Sequence, residues 1–556
     1  MVDTAALLPT AGEGDGERLA GVADYRGRPV HRRTSGGWRS ALFVVAVEIA
    51  GSFAYYGVSA NLITYLTGPL GQSNAAAAAA VNAWSGAAAL MPLLGAFLAD
   101  AYLGRYASVI LACSLYLLGY GMLTLSSTLP GLRPSPRSPC TGGGGGGCHP
   151  GPGWAQVAFF YMSLYLIALA NGADKPCGLA FAADQFDADH PRERAARGSL
   201  FNWWFFCMAV GISVAVAAVG YIQENVGWGI GFAVPCAIVL CAFAVFLLGT
   251  PTYRLHHHRP RRAHDSPFAR LARTLRARLS SSSSQRRPTA MEETETTAEE
   301  WRCVARLLPV CATSLAYGVV YAQVMTLFNK QGRTLDRRVA VAGGLELELP
   351  PAALQALGPA SILLFVPVYD RALVPALRWA TGNPSGLTML QRLGAGMATS
   401  LAAVSAAAAV EAQRLATARA HGLVDEPAAT VPMSWAWVVP QYAMMGVADV
   451  LAVVGMQELF YDQMPEGLRS LGLALYLSVM GIGGFISSLL ISLIDGVTSR
   501  GGGDSWFADN LNRAHLDYFY WLLAGLSAAE LVLYLAYART YVYRPRNALL
   551  LLHQPK

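Results

Sequence analysis

Glu48, Lys175 and Glu458 are ionisable residues that lie inside long apolar stretches of this 556-residue chain. Because charge is expensive to place in hydrocarbon, each is a candidate functional residue. A lysine beside a carboxylate in a wet cavity can bind an anionic solute group, or change partners when the carboxylate takes up a proton. The alternative is a buried structural ion pair, or a position near a span end in the membrane interface. We expect a central cavity with Glu48 and Lys175 on one side and Glu458 on the other.

Neutral polar residues near these charges are candidates for the cavity wall. One helix face carries residues at i, i+3, i+4 and i+7: Glu48, Gly51, Ser52 and Tyr55. Gly172 and Pro176 should loosen the helix around Lys175 and free backbone groups there. The wall candidates are Tyr55, Tyr56, Tyr321 and Gln323. Aromatic residues in membrane spans are more often packing residues, so packing is the competing interpretation.

The elements that must position these groups are membrane helices. Hydrophobic residues make up 54% of the chain and charged residues 14%, whereas soluble domains have about 25% charged residues. The apolar residues form blocks of about 20, enough to cross a bilayer, and a span in lipid must be helical here. We predict an all-α membrane protein with twelve spans, near 41–67, 76–99, 107–129, 155–181, 200–222, 229–249, 304–328, 354–374, 387–410, 435–463, 469–497 and 516–540.

The longest polar stretch divides the chain into two six-helix halves. We expect a cytosolic N-terminal tail (1–38), an N-terminal half (39–249), a cytosolic central loop (250–302), a C-terminal half (303–543) and a cytosolic C-terminal tail (544–556). Arginines cluster in both tails and in the loop between spans four and five, which places the termini in the cytosol by the positive-inside rule.

An acid–base motif recurs at matching places in the two halves. The loop after span two contains Asp100 and, after Gly104, Arg105, and the loop after span eight contains Asp370 and Arg371. Such a repeat indicates the major facilitator architecture. The acid can cap a helix start while the arginine pairs with it or with a neighbouring helix end, which would form a cytosolic latch. An ordinary loop salt bridge is the alternative.

Other classes of function lack support in the sequence. No nucleophile–base pair, nucleotide motif or metal-ligand cluster is apparent, so we expect no enzyme, no cofactor and no metal. The net charge of +6 comes from basic residues in loops beside spans, and does not indicate nucleic-acid binding. Cys140 and Cys148 flank a glycine run, and either a disulfide or two free thiols would fit.

Several ordered segments closely resemble the plant nitrate/peptide transporter family, the plant branch of the proton-coupled oligopeptide transporters. They include 53–57 (FAYYG), 82–86 (NAWSG), 181–187 (FAADQFD), 221–228 (YIQENVGW), 461–465 (YDQMP) and 510–518 (NLNRAHLDY). The resemblance covers the chain from Trp38 to about Tyr543. It implies a major facilitator fold, alternating access, and a small-molecule substrate moved across a lipid bilayer, with protons as a second candidate partner.

The family's functional residues carry over unevenly. Lys175 and Glu458 match its fourth-span lysine and tenth-span glutamate. Glu48 matches the first acid of its first-span E-x-x-E-R/K motif, which is tied to proton coupling, but Gly51 stands at the second acid and Ser52 at the base. Proton coupling is therefore in question. Tyr321 stands where nitrate-binding members can have a histidine, which weakens the case for nitrate without excluding it.

The resemblance implies a secondary transporter of nitrate, a peptide or a hormone-like organic anion. A non-transporting membrane sensor or receptor with the same fold is the alternative, because the first-span motif is incomplete. An acidic-dileucine motif in the N-terminal tail, formed by Asp3, Leu7 and Leu8, is of the kind that sorting adaptors read. It favours the vacuolar membrane over the plasma membrane.

Overall fold

The computed structural model describes residues 18–133, 153–187, 190–256, 302–341, 345–382, 387–464, 469–500 and 504–541. Within them, eleven helices are long and apolar enough to cross a membrane, or twelve if one bent pair counts as a single span. The spans are Gly37–Thr67, Asn74–Leu98, Arg105–Thr128, Trp154–Ala183, Cys207–Asn225, Trp228–Thr252, the pair Arg302–Ala312 and Leu315–Arg333, Ala353–Ala380, Met389–Ala420, Trp435–Asp462, Leu475–Thr498 and Leu516–Thr540. The predicted all-α membrane fold is confirmed.

Several spans are assembled from shorter helices. The α-helices run Gly37–Ser59, Leu62–Thr67, Asn74–Leu98, Arg105–Thr128, Trp154–Asp174, Gly178–Ala183, Pro191–Asn225, Trp228–Gly249, Arg302–Ala312, Leu315–Val324, Leu327–Arg333, Leu357–Val368, Val374–Thr381, Met389–Ala420, Val439–Ala448, Val454–Asp462, Arg469–Thr498 and Leu516–Thr540. Turns of 3₁₀-helix occupy Thr250–Thr252, Pro351–Ala356 and Trp435–Val438. The seventh span bends by 50° between its two parts.

In the described residues, π-helical turns occupy Ala99–Leu103, directly after the second span, and Tyr369–Leu373 and Asp449–Val453, within the eighth and tenth spans. Insertions of this type are rare and occur frequently at functional sites. The first contains Asp100 and ends two residues before Arg105, and the second contains Asp370 and Arg371. Both halves therefore have the same backbone irregularity at the acid of the repeated motif. The shared irregularity supports the internal repeat that the sequence indicates.

Short strands close the ends of the bundle. Strands β1 (Arg18–Ala23), β2 (Pro29–His31) and β3 (Leu255–His256) form an antiparallel sheet in the order β2-β1-β3. On the other side, β4 (Leu335–Asp336) pairs in parallel with β7 (Val431–Ser434), and β5 (Arg338–Val341) forms a hairpin with β6 (Leu345–Glu348).

The halves contact each other most closely where the second and eleventh spans cross. A Cβ atom on Gly86 would lie 2.7 Å from the carbonyl oxygen of Gly481, and one on Gly484 would lie 2.8 Å from that of Asn82. Small residues of this kind allow helix backbones in membranes to approach each other. The other main contact between the halves joins the fifth span to the eighth and its leading turn, Pro351–Ala356.

Hydrogen bonds between the halves gather toward the side opposite the termini. Asn329 and Gln355 both donate to the carbonyl oxygen of Ala60, at 2.5 and 2.7 Å, and Lys330 Nζ donates to Thr67 Oγ1 at 2.5 Å. The positive-inside rule predicts cytosolic termini, which would make this the non-cytosolic side. These bonds join the first span to the seventh and eighth spans and hold the two halves together at this side.

Candidate functional site

An ion pair joins the first and fourth spans. Lys175 Nζ donates hydrogen bonds to Glu48 Oε1 at 2.5 Å and to Ser52 Oγ at 3.0 Å. Glu48 is buried, whereas 28% of the Lys175 side chain remains accessible. The ammonium group therefore holds a buried carboxylate while part of the Lys175 side chain remains accessible.

A break in the fourth span positions the Lys175 side chain. The helix Trp154–Asp174 ends immediately before it, and a new helix begins at Gly178, because Pro176 interrupts the backbone hydrogen bonding. Gly172 allows the closest approach to the second span: a Cβ atom there would lie 2.5 Å from Met91 Cβ. The same contact involves Gly95, where a Cβ atom would lie 1.9 Å from the carbonyl oxygen of Gly172.

A second buried carboxyl group, that of Asp174, adjoins this pair. Asp174 is 1% exposed, and its carboxyl group lies beside that of Glu48 next to Gly178. The absence of side chains at two glycines makes the room. A Cβ atom on Gly51 would lie 3.2 Å from Asp174 Oδ2, and one on Gly178 would lie 2.8 Å from Glu48 Oε2.

Tyrosines extend the site across to the C-terminal half. The ring of Tyr55 lies 5.1 Å from that of Trp84 in a stacked arrangement. The hydroxyl group of Tyr56 lies close to that of Tyr321 and near Lys175. Tyr56 and Tyr321 therefore meet at the boundary between the halves, where a solute held by Lys175 would contact both.

The C-terminal half contributes a carboxyl group from Asp449. Tyr317 donates a hydrogen bond to Asp449 Oδ1, and Tyr321 and Tyr476 lie close by. Asp449 begins the π-helical turn of the tenth span. The position of this turn directs an acid toward the tyrosines at the boundary between the halves.

Glu458 lies farther along the same span. Nine residues separate it from Asp449, or about 13 Å at 1.5 Å per helical residue. Half of its side chain is exposed, and it accepts a hydrogen bond from Arg392 Nη1 at 3.3 Å. Arg392 also donates to the carbonyl oxygen of Val450. The structure thus places Glu458 near the Asp462 end of the tenth span, the end predicted to be cytosolic, and away from the Glu48–Lys175 pair.

Gln323 is fully buried and does not line the cavity. Its Nε2 atom donates to Ser487 Oγ at 2.8 Å, and Ser487 also accepts a hydrogen bond from Asn82 Nδ2 at 2.9 Å. The three side chains form a polar bridge between the halves. The amide is directed away from the cavity because the bridge satisfies its donor inside the protein.

The predicted latch residues lie in comparable turns but have different partners. Arg105 Nη1 pairs with Asp184 Oδ2 at 2.5 Å, within the segment 181–187. Arg371 is exposed. The side chains of Asp100 and Asp370 lie outside the described part of the structure, as do Asp3, Leu7, Leu8, Cys140 and Cys148.

Sequence reasoning passed over two acids, Asp174 and Asp449. Each is an ionisable residue within an apolar span, so the argument that selected Glu48 could also have selected them. Asp174 was obscured by its neighbour, since an adjacent lysine suggests a local pair. In the described residues, no group of three or more histidine, cysteine or acidic side chains could hold a metal ion.

A bundle of about twelve spans, in two halves that meet at charged residues and tyrosines within the membrane, is typical of a membrane transporter. Residues 106–507 match the POT family (PTR2). The chain is also similar to two Arabidopsis thaliana proteins. It is 48% identical over 553 residues to Protein NRT1/PTR FAMILY 5.10, covering 94% of this chain and 96% of the relative. It is 45% identical over 565 residues to Protein NRT1/PTR FAMILY 5.16, covering 95% and 97%.

The chain therefore belongs to the POT family, also called the NRT1/PTR family, and the suspected resemblance is confirmed. It is a secondary transporter of small solutes and not an enzyme.

Solved structures show the same fold. An auto-inhibited POT family peptide transporter matches with a TM-score of 0.72 at 20% identity, covering 93% of this chain and 99% of that one. A POT family transporter in complex with 5-aminolevulinic acid matches with a TM-score of 0.66 at 13% identity, covering 92% and 99%. These likenesses establish the major facilitator architecture.

Proposed function

We propose that this transporter carries a small anionic solute by alternating access, and that Lys175 binds the anion. The candidate solutes are nitrate, a peptide with a free carboxylate, and a hormone-like organic anion. One observation carries the proposal: the Lys175 side chain is partly accessible while its ammonium group holds the buried Glu48 carboxylate at 2.5 Å. Lys175 donates to Glu48 and to Ser52, and the third of its three N–H groups can bind a solute anion through a charge-assisted hydrogen bond.

The groups opposite Lys175 fit a small solute. The hydroxyl groups of Tyr55, Tyr56 and Tyr321 can donate hydrogen bonds to anionic oxygens. Asp449 in the C-terminal half can accept hydrogen bonds from an amino group. A zwitterionic peptide would use both ends of this arrangement, whereas nitrate would use only the lysine and the tyrosines.

The test is solute flux into proteoliposomes that contain purified protein. Labelled nitrate, dialanine and indole-3-acetate serve as the three probes, each with and without an imposed proton gradient. We expect at least one to enter faster than in protein-free liposomes, and unlabelled solute to compete. If none of the three enters although the protein is folded, the anion proposal is refuted.

A matched pair of variants tests the role of Lys175. Lys175→Met removes the ammonium group and keeps the length of the side chain, and we expect flux to fall by at least tenfold. The control is Arg338→Met, in the exposed hairpin on the non-cytosolic side, where 63% of the side chain is accessible. Equal flux in both variants would show that Lys175 does not bind the solute.

The same experiment separates transport from sensing. A sensor or receptor that retains the fold would bind the probe with a measurable Kd but would not move it across the bilayer. The incomplete first-span motif keeps this alternative in consideration. Equilibrium binding without flux in folded protein would favour it.

Glu458 and the repeated acid–base turns fit roles at the cytosolic mouth. The half-exposed Glu458–Arg392 pair lies where a departing solute must pass, and the Arg105–Asp184 pair joins the turn after span two to the end of span four. We assign latch roles to Asp100, Arg105, Asp370 and Arg371, released when the halves rock. Glu458→Gln and Arg105→Gln should alter the rate of net flux more than solute affinity. A change in affinity alone would contradict this assignment.

The acidic-dileucine motif supports placement in the vacuolar membrane through a sorting adaptor. A fluorescent fusion of the whole chain, compared with its Leu7→Ala/Leu8→Ala variant, tests this. We expect the intact chain at the vacuolar membrane and the variant elsewhere. A fluorescence distribution that the double substitution leaves unchanged would refute the role of the motif.

A further inference from the structure

We infer that Asp174 and Glu48 share a single proton, and that Asp174 supplies the second carboxyl group that is absent from the first span at Gly51. The shared proton is then the one that moves with the solute. This inference rests on the proposed transport function and extends it to the coupling ion. It concerns three side chains, Glu48, Asp174 and Lys175, which we call the buried triad.

The triad holds more carboxyl oxygens than hydrogen-bond donors. Lys175 donates to Glu48 Oε1, but Glu48 Oε2 and both oxygens of Asp174 are buried without a hydrogen-bond partner among the described residues. Glu48 Oε2 and Asp174 Oδ1 lie 2.8 Å and 3.6 Å from the same point, where a Cβ atom on Gly178 would lie, so the two carboxyl groups are neighbours. Two carboxylates cannot hydrogen-bond to each other, because both are acceptors only. One proton placed between them supplies the missing donor.

The balance of charge leads to the same conclusion. Two ionised carboxylates and one ammonium group would leave an uncompensated negative charge at a site that water barely reaches, and isolated buried charge is strongly unfavourable. With one proton on the pair, the triad is neutral. Two adjacent carboxyl groups that share one proton are a known solution to this problem.

No other cation replaces the proton among the groups that face Asp174. The third span presents Cys113 and Tyr116, and the first span presents Glu48. The fourth span presents Asn171, whose side chain is bonded to Tyr116 and to the carbonyl oxygen of Ala88. These neighbours are neutral or acidic, so Lys175 is the one positive group that the described residues bring to the carboxyl pair.

Asp174 occupies the space beside Gly51. Its Oδ2 atom lies 3.2 Å from the point where a Cβ atom on Gly51 would lie, so a longer side chain at position 51 would collide with it. The fourth-span aspartate therefore fills a site that an acid on the first span could otherwise occupy. Ser52 stands where the first-span motif has its base, and Lys175 supplies the positive charge there through its hydrogen bond to the Ser52 hydroxyl group.

The coupling follows from the net charge of the triad. With the proton bound, the triad is neutral and Lys175 can accept an anion at its accessible side. When the proton leaves to water on the cytosolic side, both carboxyl groups are ionised and the triad becomes negative, which expels the anion. The anion and the proton thus leave on the same side, and rebinding of a proton restores the neutral triad.

Infrared spectroscopy tests the shared proton without any solute. Intact protein in lipid is titrated through a pH series and compared with Asp174→Asn and Glu48→Gln. We expect the intact protein to show the C=O band of a protonated carboxyl group that both variants lack, because in each the remaining carboxylate pairs with Lys175 alone. The variant with both substitutions should lose the same band intensity as each single variant and no more, because the two carboxyl groups share one proton. If the Asp174→Asn spectra match those of the intact protein throughout, the inference is refuted.

Flux measurements then test the coupling. With labelled nitrate, the intact protein should accumulate solute under a proton gradient, and Asp174→Asn should only equilibrate it while retaining exchange of labelled for unlabelled nitrate. Accumulation by Asp174→Asn at the level of the intact protein would overturn the inference. If the intact protein only equilibrates nitrate, the coupling fails but the transport proposal stands. If it moves no probe at all, the transport proposal fails and the infrared result still decides the shared proton.

A second variant covers the case in which Asp174→Asn also loses exchange. Asp174→Ala removes the carboxyl group and opens space beside position 51, and adding Gly51→Glu to it returns an acid to the same place from the first span. Gradient-driven accumulation should be lost in the single variant and regained in the double variant. If the Asp174→Ala/Gly51→Glu variant is folded but does not accumulate solute, that result would count against the inference.

Discussion

The hydrogen bond between Lys330 and Thr67 is one of the contacts that join the halves on the side opposite the termini, which we call the non-cytosolic gate. We predict that this bond stabilises the closed gate. Lys330 is 6% exposed, and its ammonium group donates to Thr67 Oγ1 across the boundary between the halves. The Thr67 hydroxyl in turn donates to the carbonyl oxygen of Ile63 at 2.9 Å, so its acceptor lone pairs face the lysine. Thr67→Val keeps the shape of the side chain and removes the acceptor.

The magnitude follows from leaving a buried charge without its acceptor. A hydrogen bond to a charged group contributes about 1.5–3 kcal/mol. Because this bond forms between the halves only when the gate is closed, its loss should raise the open fraction by roughly 12- to 140-fold, taking 1.4 kcal/mol for each factor of ten. Lys330→Met should open the gate much less, since it removes the buried charge together with its need for an acceptor.

Cysteine accessibility measures this change. Ala60 is fully buried at the gate, so Ala60→Cys in a background without other cysteines reports opening through its reaction with a membrane-impermeant maleimide. The labelling rate is proportional to the open fraction when opening is fast. We expect the order Thr67→Val, then Lys330→Met, then the parent, with Thr67→Val faster than the parent by the factor given above.

Two results would refute the reasoning. Labelling of Thr67→Val at the parent rate would mean that this hydrogen bond does not hold the gate. Equal acceleration by Thr67→Val and Lys330→Met would mean that the contact itself, and not the unpaired buried charge, sets the equilibrium. Labelling from the cytosolic side serves as the control, and it should slow or stay constant in all variants.

The remaining predictions concern stability. Arg414 and Glu411 are both fully buried and paired at 2.6 Å, and Arg414 also donates to Asn512 Oδ1. Arg414→Met leaves the Glu411 charge unpaired and should lower the free energy of unfolding by about 3–5 kcal/mol. In a thermal unfolding assay, the exposed control Arg513→Met should show little change. Gly95→Ala should reduce the yield of monodisperse protein on size-exclusion chromatography, because its Cβ atom would lie 1.9 Å from the carbonyl oxygen of Gly172, whereas Gly121→Ala, with no atom within 4 Å of its Cβ, should not. Burial alone would raise the pKa of Glu193, but hydrogen bonds from Arg254 and from the backbone N–H of Asp187 lower it overall. The stabilisation by Glu193 is therefore present above its unfolded pKa, about 4.3, and is lost as the pH falls through the lower folded value; Glu193→Gln should flatten the acid limb of a stability–pH curve, and an unchanged limb would refute the assignment.

Sequence reasoning reached the membrane fold because its signal is local. An apolar block of about 20 residues is sufficient to predict a span, and the helices appear where these blocks lie. The bend in the seventh span and the π-helical turn at Asp449 were not predicted. Both depend on how neighbouring helices satisfy backbone groups, which is not a property of a single segment.

The same distinction between features that one segment specifies and features that depend on neighbouring helices applies to the site. The structure brings Glu48 and Lys175 together, as the intramembrane charges suggested, while their roles remain a prediction. Gln323 and Glu458 could not be placed from spacing alone, since one helix turn decides whether a side chain faces the cavity, a neighbouring helix or the cytosolic mouth. Asp174 could be recognised in the sequence as an acid within a span, but its proximity to Glu48 could be found only in three dimensions, because Glu48 lies 126 positions earlier in the chain.

The glycine crossing of the second and eleventh spans determines how far the ends of these helices move when the two halves rotate. Backbone meets backbone at Gly86 and Gly481, so the spans can pivot there with little change of side-chain packing. The arm from Gly86 to the cytosolic end of its helix at Leu98 is twelve residues, or about 18 Å. A rigid-body rotation of ~15°, of the size seen between subunits in other proteins, would swing that end by about 5 Å. A bulkier residue at the pivot would shift the axis away from the backbone contact and shorten this stroke.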